Sequence, residues 1–280
     1  MSQRLVVALW LVLIGCACAL PPVRLPPPVG PVTVRIGVET YELWNEVEAS
    51  PPGRAQRRER LRELFAANGC PERVGAPERM GATAVVCRLP GASPRSIVVA
   101  SEYDSGGWRR SDGWPGAAML PGLYHALAVE PRHHTLVFVA FERRLLGPEA
   151  RSWQLSRALD ALAADERAQI AAVVGVRGMD ENQLGVVATG ADPGLFVDLR
   201  AVSQALEIPV KLLRPRRRDD LVGKTAPPLR PDGRVVPLVA IAVAERGLSD
   251  YLDSFRFVAA LLAYVDRASE MRSEAIRLPE

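Results

Sequence analysis

The side chains that most readily do chemistry are sparse in this sequence. Its three histidines are His125, His133 and His134. His125 falls in a helical stretch, where packing or solvation is the default. The vicinal pair His133-His134 sits in a turn before a strand, where exposure is expected, although such a pair can bind a metal weakly. No Gly-x-Ser-x-Gly elbow, His-Glu-x-x-His pair or phosphate-cradling glycine loop is present. Four cysteines, Cys16, Cys18, Cys70 and Cys87, show no Cys-x-x-Cys or Cys/His spacing of a metal site.

Composition narrows the classes further. Of 280 residues, 48% are apolar and 24% charged, which suits a folded domain with a real core. Thirty-five basic residues stand against 32 acidic ones, so the net charge of +3 gives no electrostatic reason to expect nucleic acid. The run Arg214-Pro215-Arg216-Arg217-Arg218 is followed at once by Asp219 and Asp220 and reads as a solvated loop.

The first residues read as an export signal. Arg4 precedes an unbroken apolar stretch from Leu5 to Ile14, too short to span a bilayer comfortably. Leu13-Ile14-Gly15-Cys16 resembles the bacterial lipobox, which implies that Cys16 is lipidated and begins the mature chain. An uncleaved N-terminal anchor is the alternative, and both export the rest of the chain. The expected organisation is a signal peptide over 1–15, a lipidated cysteine with a proline-rich tether over 16–31, and one domain over 32–280. The tether cannot pair as a sheet or wind as a helix, so it extends as a spacer. In an oxidising periplasm Cys70 and Cys87, seventeen positions apart, could close one disulfide.

The elements that must position any site alternate along the chain. Strands are predicted over 32–38, 83–89, 96–100, 135–141, 170–176 and 235–243. Helices are predicted over 40–49, 55–67, 116–128, 148–164, 195–206 and 249–267. The strands at 83–89 and 96–100, separated by Pro90-Gly91 and Ser93-Pro94, read as a hairpin. The alternation predicts a three-layer α/β/α sandwich with a mixed, mainly parallel central sheet and no second domain.

Residues 83–147 carry a resemblance. The text Arg88-Leu89-Pro90-Gly91, Ile97-Val98-Val99-Ala100-Ser101-Glu102-Tyr103-Asp104-Ser105, Asp112 to Gly116, and Phe138-Val139-Ala140-Phe141-Glu142-Arg143-Arg144-Leu145-Leu146-Gly147 resembles the co-catalytic di-zinc aminopeptidases, a zinc-exopeptidase fold that includes glutaminyl cyclase. A weaker match continues to Asp250-Tyr251-Leu252-Asp253-Ser254. By this resemblance Glu102 replaces the family's first ligand His, and Asp104 matches the Asp that orients it. Asp112 matches the bridging Asp. Counting back from Gly147 puts Glu142 on the ligand Glu and Phe141 on the general base. Counting forward from Phe138 implies a deletion and leaves Arg143 and Arg144 there. The next ligand Asp falls on Arg177, whose guanidinium cannot bind a metal. No histidine lies beyond 134 to supply the last ligand.

The resemblance therefore implies a degenerate member: no catalytic residue, no metal and no cofactor. The chain would act as a lipid-anchored binding or scaffold protein of the cell envelope, held to the membrane by its N-terminal lipid, with a protein or peptide partner. A purely structural subunit is a variant of that reading. The alternative is a divergent aminopeptidase with one zinc on Glu102, Asp112 and Glu142. Crowded carboxylates without metal repel each other, so Arg177 is expected to bridge Asp112 or Glu142, or else to be a surface residue. Tyr103, Trp108 and Trp114 are candidate contact residues at the site mouth, or packing beneath it.

Overall fold

The computed structural model describes residues 40–70, 84–104, 113–129, 131–142, 158–159, 161–179, 184–189, 193–212, 236–244 and 247–275. The expected strand at 32–38, most of the expected helix at 148–164, and Cys16, Asp112, Arg143, Arg144, Trp108 and the 214–218 run lie outside them.

Seven strands form one sheet: β1 (Ala84–Leu89), β2 (Ser96–Glu102), β3 (Thr135–Phe141), β4 (Ile170–Met179), β5 (Gly185–Thr189), β6 (Lys211–Leu212) and β7 (Leu238–Ala244). Their order is β1-β3-β2-β4-β7-β5-β6. The four central strands β3, β2, β4 and β7 run parallel, whereas β1 joins β3 and β5 joins β7 antiparallel. The helices are α1 (Thr40–Glu48), α2 (Arg54–Ala67), α3 (Trp114–Ala128), α4 (Ala164–Ala168), α5 (Pro193–Leu206) and α6 (Leu248–Ala275). Among the described residues no helix is long and apolar enough to cross a membrane.

The central strands are buried on both faces, which explains why their sequences are continuous apolar runs. In β3, Leu136, Phe138 and Ala140 enter the larger core with α1, α2, α3 and α6, while Val137, Val139 and Phe141 enter a smaller one with Ala158, Leu159, Ala161 and Leu162. The result is a three-layer α/β/α arrangement with a mixed, largely parallel sheet. Helix α3 lies against β2 and β4 beneath α1, α2 and α6, and His125 is the only exposed residue over its first fourteen positions.

The expected hairpin does not form. Strand β1 pairs with β3, from Ala84↔Phe141 to Leu89↔Leu136, and β3 separates it from β2. The apolar run of β3 from Leu136 to Phe141 needs partners on both edges, while β1 carries Arg88, ion-paired to Glu166 at 2.6 Å, and takes the outer place. The connection from β1 to β2 crosses the start of β3, with the amides of Ala92 and Ser93 donating to the carbonyls of Arg132 and His133. A Cβ on Gly91 would lie 2.3 Å from the His134 carbonyl, so only glycine fits that crossing. Strands β5 and β6 were not expected from sequence. At two residues β6 is too short to stand out by pattern.

Candidate functional site

The parallel strands end together, and the chemistry-bearing side chains gather there. Glu102 closes β2 at 1% exposure, and Asp104 follows at 3%. Tyr103 between them extends the parallel pairing, its amide donating to the Phe141 carbonyl at 3.1 Å. Glu142 directly follows β3. The start of α3 presses on this loop. A Cβ on Gly113 would come within 2.8 Å of the Glu102 carbonyl, so the close approach needs glycine.

The cation between these carboxylates is Arg54, the first residue of α2. Its Nε lies 3.0 Å from Asp104 Oδ2 and its Nη1 2.9 Å from Glu142 Oε1. The Glu142 contact is a directed hydrogen bond, while Asp104 Oδ2 receives the charge without hydrogen-bond alignment. Tyr103 donates its hydroxyl to Glu142 Oε2 at 3.4 Å. Beside Arg54, Arg57 donates to the carbonyls of Tyr103 and Pro51 and to Ser50 Oγ, and lies 5.8 Å over the Trp114 ring. Burial pushes the Arg57 guanidinium below its ordinary range, and the charge of Asp104 opposes that shift. Two arginines in the first turn of a helix face its positive end unfavourably, and the carboxylates ahead of it offset this. Gly53 at the N-cap contributes no side-chain cap.

Arg177 was expected on Asp112 or Glu142; Asp112 lies outside the described residues, and Glu142 is held by Arg54 instead. Arg177 sits in β4 near the same sheet end, half-buried, with its Nε shielded and without a hydrogen-bond partner. The cation on Glu142 is Arg54, which sequence reading placed in no functional role. No motif marks it; a positive charge at a helix start is the only local anomaly. Tyr103 and Trp114 are buried, at 0% and 1% exposure, with Trp114 Nε1 donating to the Glu46 carbonyl. They pack beneath the site rather than line its mouth.

The described residues do not fit a zinc centre, which needs imidazole, thiolate or carboxylate donors converging on one point. The imidazoles are at the wrong end. His134 precedes β3, whose seven residues span roughly 20 Å before Glu142 is reached. Its Nδ1 is 3.0 Å from Asp266 Oδ1 in α6, and Asp266 also accepts the amides of His133 and His134. Cys70 and Cys87 are joined in a disulfide with their Cα atoms 6.2 Å apart, tying the end of α2 to β1. Among the described residues no three His, Cys, Asp or Glu side chains are grouped to hold a metal ion.

No protein-family model and no curated protein sequence matches the chain. Solved structures do. A glutaminyl cyclase from Fimbriiglobus ruber matches with a TM-score of 0.57 at 16% identity, over 86% of this chain and 99% of that one. A glutaminyl cyclase from an Acidobacteriales bacterium gives 0.57 at 16%, over 88% and 98%. A candidate zinc-dependent exopeptidase from Bacteroides vulgatus gives 0.51 at 10%, over 84% and 98%. At these identities the likeness is one of fold: the chain has the sandwich shared by glutaminyl cyclases and zinc exopeptidases.

Proposed function

We propose that this chain is a non-catalytic homologue on the zinc-exopeptidase fold that binds or scaffolds a protein or peptide partner in the cell envelope, anchored through a lipid on Cys16. The observation that carries the non-catalytic half is Arg54. A fixed guanidinium between Asp104 and Glu142 supplies positive charge to carboxylates at the strand ends, and it has no vacant orbital with which to coordinate a water and generate a bound hydroxide as a metal does. The histidines lie at the other end of the sheet and offer no imidazole donor or general base there. The lipobox-like segment and the proline-rich tether support the envelope location.

Two measurements test this. Purified protein is analysed for bound metal and assayed on aminoacyl reporters and on a peptide with an N-terminal glutamine. The expected result is substoichiometric zinc and no turnover, and stoichiometric zinc with turnover of either substrate overturns the reading. For the anchor, Cys16→Ser should move the full-length chain from the membrane fraction to the soluble fraction of the expressing cell. Unchanged membrane association would remove the lipid.

A further inference from the structure

Arg177 is the charged group that the Arg54 clamp leaves over. Among the described residues the other carboxylates and cations at this sheet end have partners: Arg54 holds Asp104 and Glu142, Arg57 holds the Tyr103 carbonyl, and Glu102 has contacts of its own. Arg177 has none among the described residues. Its Nε is shielded from water without an acceptor, while part of the side chain still reaches solvent. A guanidinium partly stripped of water and left unpaired is costly, and in native structures such a group calls for an explanation.

Its backbone is held in place by the neighbouring strands and by α3. Arg177 pairs with Ala242 of β7, and the rung two residues below reads Ala100↔Gly175↔Ala240 across β2, β4 and β7. On this face the rung below Arg177 carries only Ala100, Gly175 and Ala240, while the register of β2 on β4, continued two residues, brings Glu102 level with Arg177 itself. On the opposite side Gly116 of α3 abuts the strand, where a Cβ would lie 3.1 Å from the Arg177 Cα and 2.9 Å from the Val176 carbonyl. The backbone is therefore clamped. The C-terminal ends of parallel strands are also where open α/β sheets take their ligands.

We propose that Arg177 anchors a subsite for a carboxylate group, borne by the chain terminus or an acidic side chain of a peptide partner. Arginine's planar fork pairs with a carboxylate through two hydrogen bonds. A phosphate dianion is disfavoured by the buried carboxylates of Glu102 and Asp104 at the same sheet end. The proposal rests on the binding-protein reading and specifies what is bound.

The test follows the arginine Nε–Hε signals by NMR in full-length protein, with Arg177→Lys identifying the Arg177 resonance. Three probes are titrated: an N-acetylated tri-alanine with a free C-terminal carboxylate, an amidated peptide of the same length with a central glutamate, and amidated tri-alanine. A saturable shift of the Arg177 signal with either carboxylate peptide, and none with the neutral one, is expected, and the responding peptide identifies the source. Affinity should fall about tenfold or more in Arg177→Gln. No shift with any probe, an equal shift with the neutral peptide, or unchanged binding by Arg177→Gln overturns the subsite. Zinc content and turnover are read on the same sample. Turnover would overturn the non-catalytic reading whatever the titration shows, and a failed titration without turnover would remove only the subsite.

Discussion

Arg54 is 43% exposed along its side chain, yet one of its partners, Asp104, is only 4% exposed. That asymmetry sets the size of the effect on removing it. A solvated arginine on its own contributes little, but taking it away leaves a buried carboxylate without that counter-charge. Arg54→Gln should destabilise the protein by about 1–2 kcal/mol in urea unfolding, scaled down from a fully buried pair for the exposure of Arg54. Arg54→Lys should recover part of this, keeping the charge but not the two-pronged reach. A neutral result for Arg54→Gln would mean that the carboxylates are settled by other groups. None of this pairing was legible locally: Arg54 and Glu142 are 88 positions apart, and neither lies in a recognisable motif with the other. The resemblance drew attention to Arg177 because alignment follows strand ends, whereas the cation came from a helix outside the aligned stretch.

At the scale of elements, the opposite end of the sheet has its own fastening. Asp266 of α6 accepts the amides of His133 and His134 and the ring of His134, so one carboxylate joins the last helix to the start of β3. Burial alone would raise the Asp266 carboxyl, but the hydrogen bonds and charge of His134, with the His133 amide, outweigh it and hold the group below its ordinary range. A carboxyl depressed in the folded state binds fewer protons there than in the unfolded chain. Its stabilisation is therefore complete above the ordinary carboxylate pKa and is lost as pH falls through the depressed folded value. Asp266→Asn should lower stability at neutral pH by about 1–3 kcal/mol and flatten the acid limb of the stability–pH curve. An acid limb identical to wild type would show that other carboxylates govern it. The helical period of α6 was readable from its apolar residues, but nothing local marks Asp266 as a fastening point. Strand type was equally readable, yet the β1–β2 hairpin was a misreading. Local turn chemistry at Pro90-Gly91 does not report that a third strand will insert between two neighbours.

For the whole molecule, the Cys70–Cys87 bridge links the end of α2, and so the helix that carries Arg54, to edge strand β1. Both cysteines are buried, at 7% and 1% exposure. Closing this loop restricts the unfolded chain by about 3 kcal/mol on loop-closure entropy. The double change Cys70→Ser with Cys87→Ser should lower the unfolding free energy by about that amount, and a reductant should then no longer alter it. Sequence by itself determined the layered α/β class, because strand and helix periods and continuous apolar runs are local properties of the chain. It also determined that no late histidine exists to complete a zinc site. Tertiary structure alone decided the strand order, the role of Arg54 and that Arg177 Nε meets no acceptor among the described residues. Each of these depends on which distant segments the sheet brings side by side, and charge pairing acts through space, not along the chain.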